Sequence, residues 1–84
     1  MSTPLKRDEV LSAFDMFIEM QKNAVEDALK YIETDWESFK VDADYLVQLV
    51  RARSIYQAKG FVDDRRFHGA WNAVVDQAYD RRDA

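Results

Sequence analysis

His68, the single histidine of the chain, is the residue around which any metal site or nucleophilic triad would have to be built. The sequence contains no cysteine, which excludes thiolate zinc sites, iron–sulfur clusters and cysteine nucleophiles. Asp64 and His68 are spaced i, i+4 and could supply two metal ligands, but no second histidine and no Glu-x-x-His pair completes a site. There is also no glycine-rich phosphate loop. We therefore expect no metal, no cofactor and no enzymatic activity.

Carboxylates are the most numerous chemical groups, with 16 acidic against 12 basic residues and a net charge of −4. Glu19, Glu26 and Glu33 recur every seven residues and predict an acidic ridge on one helix flank. Acid–base catalysis needs carboxylates in surroundings that shift their pKa, and an exposed helix flank does not provide them. The ridge is either a solvated face or a surface that meets a basic partner. An inhibitor that imitates nucleic acid is an alternative, although the spacing of about 10.5 Å exceeds that of phosphates along one strand.

Arginines are concentrated in the second half of the chain, where Arg65–Arg66 and Arg81–Arg82 lie near the two ends of a predicted helix. Such pairs could contact two phosphates of a nucleic acid, so a small DNA-binding regulator is a second alternative. However, Asp63 and Asp64 adjoin the first pair and would repel a phosphate backbone. Nucleic-acid-binding domains are usually strongly basic, whereas this chain is acidic.

These groups must be positioned by helices, and the first predicted helix is long. Residues 4–39 contain no glycine and, after Pro4, no proline. At 100° per residue the main apolar residues of this stretch fall within a sector of about 120°. Only Gln21 and Asp35 interrupt the sector. Its apolar members are Val10, Leu11, Phe14, Phe17, Ile18, Val25, Ala28, Leu29, Ile32, Trp36 and Phe39. Met16 and Met20 lie on the opposite side and could adapt to a partner.

A second, shorter helix is predicted over residues 43–59. Asp42 or Asp44 is its expected N-cap, and Gly60 is its expected end. Arg53 falls within the apolar sector of this helix. Because a buried arginine needs an opposite charge, we expect it to pair with an acidic residue of the first helix.

A third helix is predicted over residues 63–82, with Asp63 or Asp64 as its N-cap. The apolar residues of this helix share one face within about 80°. They are Phe67, Trp71, Val74, Val75 and Ala78.

The sequence therefore predicts one all-α domain over residues 1–84, in which a long N-terminal helix packs against two shorter ones as a helical hairpin or three-helix bundle. Either the second and third helices lie end to end along the first, or the third folds back and leaves the first helix uncovered from Val10 to Ile18. Both arrangements expose a large apolar surface, which soluble monomers rarely do. A second copy related by a two-fold axis is the simplest cover, so we expect self-association.

We expect a cytoplasmic, non-enzymatic protein-binding module that acts as an adaptor, accessory subunit or inhibitor. The polar start lacks an apolar signal core, and no run of about 18 apolar residues could span a membrane. The expected partner is a protein, most simply a second copy, and we expect neither nucleic acid nor a membrane surface to bind. The expected partner-binding residues are apolar, methionine and acidic positions of the first helix. They are Phe14, Met16, Phe17, Ile18, Glu19, Met20, Glu26 and Glu33.

Overall fold

Three α-helices form the fold of the computed structural model, which describes residues 4–83. The helices are α1 (Arg7–Leu29), α2 (Trp36–Lys59) and α3 (His68–Asp83), and one 3-10 turn (Arg65–Phe67) precedes α3. No strand occurs in this part of the chain, so the prediction of an all-α fold is confirmed there. The prediction of one long and two short helices is wrong, because α1 has 23 residues and α2 has 24.

The first helix ends ten residues earlier than predicted because a capped turn interrupts it at residues 30–35. Asp35 begins α2: its carboxylate accepts hydrogen bonds from the Ser38 N–H (3.2 Å) and from the Ser38 hydroxyl (2.8 Å). The Thr34 hydroxyl donates to the Tyr31 carbonyl at 3.2 Å and closes the turn. The predicted caps of the second helix, Asp42 and Asp44, are therefore wrong, because both lie within α2.

The other helix ends agree more closely with the sequence. Gly60 ends α2 in the left-handed conformation (φ +84°) and donates its N–H to the Tyr56 carbonyl at 2.7 Å, which confirms the predicted C-cap. Asp64 accepts the Arg66 N–H at 3.0 Å and caps the 3-10 turn that leads into α3. At the start of the chain, α1 begins at Arg7 rather than at Pro4, and Glu9 accepts the Lys6 N–H at 3.0 Å.

The core lies at one end of the molecule, where all three helices meet. The rings of Phe14 on α1, Tyr56 on α2 and Trp71 on α3 contact one another, with centroids 5.3 to 6.1 Å apart. Around these aromatic rings, small and branched side chains fill the space between the helices. The buried apolar residues are Val10, Ala13, Phe14, Leu49, Ala52, Tyr56, Val62, Phe67, Ala70, Val74 and Ala78.

The third helix therefore folds back, but it covers the end of α1 that was predicted to be bare. Phe14 is 0% exposed and Val10 is 3% exposed, so the predicted uncovered stretch from Val10 to Ile18 is wrong. The uncovered part is at the other end. There the C-terminal half of α1 and the N-terminal half of α2 (residues 20–48) extend beyond α3 as a two-helix arm, in which no residue is fully buried. The molecule measures 49 × 28 × 17 Å.

Candidate interaction surface

A row of apolar side chains runs along the outer side of α2. Its positions follow the i, i+3, i+7, i+10, i+14 spacing of a coiled-coil seam and cover about 21 Å of helix. We call this row the α2 stripe. Its members are Trp36, Phe39, Ala43, Leu46 and Val50.

The α2 stripe is centred about 160° around the helix from Ala52, which is fully buried against the core. Its members Phe39, Ala43 and Leu46 are half-buried, and Trp36 and Val50 are exposed. Trp36 is 56% exposed and Val50 is 48% exposed, and the neighbouring Val47 is 50% exposed. Trp36 and Phe39 contact each other, with ring centroids 5.6 Å apart. A helix normally buries such a seam against another helix, so the exposed Trp36 and Val50 leave this seam only partly covered.

Exposed large apolar residues are concentrated on the arm and its edge. Soluble monomers seldom expose a large apolar patch unless it binds something, and Trp36, Val47 and Val50 share one side of α2. On the arm, the exposed large apolar residues are Met20, Leu29, Tyr31, Trp36, Val41 and Val47. Val50 adjoins the arm, and Phe61 lies in the turn after α2.

The charges of α2 are divided between its two halves. Together with its cap, the first half (residues 35–44) contains one lysine and the four acidic residues Asp35, Glu37, Asp42 and Asp44, so its charge is 1 − 4 = −3. The second half (residues 45–59) contains no acidic residue, and Arg51, Arg53 and Lys59 give it a charge of +3. The α2 stripe extends across both halves.

Arg53 makes the ion pair expected from the sequence. Its Nε donates to Asp15 Oδ1 on α1 at 2.8 Å, and its Nη1 donates to Gln57 Oε1 at 3.2 Å. The Arg53 and Asp15 side chains are 30% and 62% exposed, so the pair contributes little to stability. It fixes the register of α1 on α2, as does the bond from Gln21 Nε2 to the Asp42 carbonyl at 2.9 Å.

The predicted partner-binding residues do not form one surface. Phe14 is part of the core and cannot reach a partner, so including it was wrong. Phe17 and Ile18 are half-buried and pack against the core, and Met16 is also half-buried. Met20 is exposed on the arm, and its role stays a prediction.

The predicted acidic ridge is shorter than expected. Glu19 and Glu26 are exposed on α1, but Glu33 lies in the turn between α1 and α2 and does not continue their row along the helix. On the helical wheel the two glutamates of α1 lie within about 20° of each other. The binding role of these three residues is untested.

Sequence reasoning missed the α2 stripe because it assigned Trp36 and Phe39 to the first helix and Leu46 and Val50 to the second. A signal was present in Asp35, which interrupted the predicted apolar sector and is followed three residues later by Ser38. Taken as an N-cap, Asp35 would have started a new helix and made the heptad spacing visible.

The ionisable side chains considered for catalysis or ligand binding either pair with one another or are exposed at separate places on the surface. Arg82 Nε donates to Glu9 Oε2 at 2.8 Å, and this hydrogen bond, with that from the Lys6 N–H, lowers the pKa of Glu9 from 4.5 to about 2. The hydrogen bonds from Arg66 lower the pKa of Asp64 from 3.8 to about 2. Two of the arginines considered for nucleic-acid binding are thus paired with the chain's own carboxylates. His68 is exposed.

A shallow depression of about 340 Å³ lies between the start of α1 and the end of α3. It is lined by Glu9, Ser12, Arg81 and Arg82, among others. The Ser12 hydroxyl accepts a hydrogen bond from Arg81 Nη1 at 3.0 Å, and a paired arginine is not a base that could activate it. Over residues 4–83 no group of three or more His, Cys, Asp or Glu side chains is arranged to hold a metal ion.

None of the helices between residues 4 and 83 combines the length and the apolar character needed to cross a bilayer. Comparisons of the chain with protein-family models, with curated proteins and with solved structures gave no match.

Proposed function

We propose that this protein is a non-enzymatic protein-binding helical module that self-associates through the α2 stripe. The observation that carries the proposal is the partly uncovered heptad seam of α2, where Trp36 and Val50, with the neighbouring Val47, are each about half exposed. A coiled-coil seam is stable only when knobs of one helix enter the holes of another. The seam therefore supports association with a second helix.

The arm can bind without rearrangement of the rest of the chain. The core formed by the three helices at the other end contains every fully buried residue in the part of the chain that the structure describes, so the fold does not depend on covering the arm. Trp36 is suited to be the anchor of the interface, because the few residues that dominate the binding energy of protein interfaces are enriched in tryptophan. Each half-exposed stripe residue that becomes buried contributes about 1 kcal/mol of transfer free energy.

The module would act as an adaptor, accessory subunit or inhibitor, in which the stripe assembles two copies. The rest of the arm, including Met20 and Tyr31 on the side of α1, stays available to a further protein. Methionine side chains adapt to partners of irregular shape.

The native mass of the chain tests the proposal. Light scattering after size exclusion, at about 100 µM, is expected to give twice the chain mass of 9.9 kDa. Val50→Asp places a charge in the stripe and is expected to give a monomer, because burying an unpaired carboxylate costs several kcal/mol.

Val41→Asp is the matched control. Val41 is 64% exposed on the same helix but lies about 180° around it from the stripe centre. This variant is expected to remain a dimer, and both variants are expected to keep the helical circular dichroism of the wild type. A monomeric wild type, or a dimer that survives Val50→Asp unchanged, would overturn the proposal.

A further inference from the structure

We infer that the two copies pair through α2 in antiparallel orientation, about a two-fold axis that passes between Asp44 and Tyr45. The inference rests on the proposed function and adds the register of the interface to it. In an antiparallel coiled coil, an a position of one helix lies opposite a d position of the other. This register places Phe39 opposite Val50 of the second copy and Ala43 opposite Leu46 of the second copy.

Side-chain sizes along the α2 stripe suit this register. The smallest member, Ala43, lies opposite Leu46 of the second copy. Phe39, the largest residue of the two central pairs, lies opposite the smaller Val50 of the second copy. Large residues opposite small ones let two helices approach closely without leaving cavities. Because the arrangement is two-fold, each favourable pair occurs twice.

Charge also favours the antiparallel orientation. It places the first half of α2, with its cap at −3, over the second half of the other copy at +3. A parallel pairing would place −3 over −3 and +3 over +3, and like charges along a seam oppose association.

The position of Arg53 fits the same geometry. It occupies the next seam position after Val50, where an apolar residue would be expected, and Asp15 holds its guanidinium in place. The register places Arg53 opposite Trp36 of the second copy. A guanidinium over an indole ring is a favourable pair, and this explains an arginine at the end of an apolar row.

Crosslinking through introduced cysteines tests the orientation, and the chain has no cysteine of its own to interfere. Lys40 and Val47 are exposed on one flank of the stripe, and in the antiparallel register Lys40 of one copy lies beside Val47 of the other. We would mix Lys40→Cys and Val47→Cys chains, oxidise them, and separate the products by intact mass. The mixed disulfide is expected in several-fold excess over either symmetric product, whereas random pairing would give a twofold excess.

Salt dependence gives a second measurement. The wild-type dimer is expected to weaken as salt concentration rises.

The possible outcomes separate the two proposals. A dimer that gives mainly symmetric disulfides, or that becomes tighter as the salt concentration rises, overturns the antiparallel register and leaves self-association standing. A monomeric wild type overturns the proposed function itself. If that monomer binds a synthetic basic amphipathic helix through the stripe, the occupant is a different protein and the inferred second copy is wrong.

Discussion

The indole of Trp71 on α3 stacks against the ring of Phe14 on α1, with centroids 6.0 Å apart and planes inclined by 28°. Tyr56 on α2 contacts both rings. This contact decides the architecture, because it brings α3 to the N-terminal half of α1 and leaves the other half in the arm. The same choice exposes the α2 stripe, so the surface proposed for binding is a consequence of how the core forms.

Phe14→Ala is expected to lower the free energy of unfolding by about 3–5 kcal/mol. Phe14 is fully buried between the other two aromatic rings, and its removal leaves a cavity where three helices meet. Small domains have total stabilities near the lower part of the range of about 5–15 kcal/mol, so much of the variant would be unfolded at 37 °C. Urea unfolding followed by circular dichroism measures the change.

Phe61→Ala is the control for this core variant. The same side chain is removed, but Phe61 is half exposed in the turn after α2, and the expected loss is below about 1 kcal/mol. Equal losses for the two variants would contradict the position of Phe14 at the centre of the core.

Asp35→Ala is expected to destabilise the fold by about 1 kcal/mol. The variant removes the side chain that accepts the Ser38 N–H at the start of α2. Asp42→Ala is the matched comparison, because Asp42 lies within α2 and does not cap it. Alanine is a better helix former than aspartate, so the Asp42 variant is expected to be neutral or slightly more stable. The reverse order of thermal midpoints would mean that the second helix begins near Ala43.

The two glycines are expected to respond in opposite directions to alanine. Gly60 has φ +84°, a conformation that costs a residue with a Cβ about 1–2 kcal/mol, so Gly60→Ala destabilises. Gly69 lies in α3, and the position that a Cβ would take there is open space. Gly69→Ala is therefore expected to raise the free energy of unfolding by up to about 1 kcal/mol. Urea midpoints of both variants against the wild type test the pair, and a stabilising Gly60→Ala would contradict the left-handed C-cap.

Glu9→Gln is expected to lower the thermal midpoint at pH 7 by a few degrees, and the difference is expected to vanish in acid. The hydrogen bond from Arg82 lowers the pKa of Glu9 from 4.5 to about 2 in the folded protein. A carboxylate with a lowered folded-state pKa stabilises the protein above its unfolded-state pKa, and this contribution is lost as pH falls toward the folded value. The gap between the two proteins should therefore close between pH 4.5 and pH 2.

Glu19→Gln is the control for the pH dependence. Glu19 is exposed on α1, next to the start of the arm. No ion pair of its carboxylate is found among the residues that the structure describes. Its substitution is expected to leave the thermal midpoint unchanged across the same pH range. A gap for Glu9→Gln that persists at pH 2 would mean that the glutamine acts through packing and not through the lost charge.

The amino-acid sequence by itself determined the helical class, the end of α2 at Gly60, the cap at Asp64 and the pairing of Arg53 with an acidic residue of the first helix. These features depend on local chemistry: a left-handed C-cap favours glycine, a free helix N–H needs an oxygen acceptor, and a partly buried guanidinium needs a carboxylate. The two caps can be read from a few neighbouring residues, and the need of Arg53 for a carboxylate from its place in an apolar sector.

Tertiary structure decided where the first helix ends and which of its ends is covered. Ile32, Trp36 and Phe39 fall in the same sector of about 120° as the earlier apolar residues of α1, so periodicity alone could not separate the two helices. Both ends of α1 contain apolar residues, and only the contact of Trp71 with Phe14 and Tyr56 selects one of them. The exposed α2 stripe follows from that long-range choice, which no local pattern specifies.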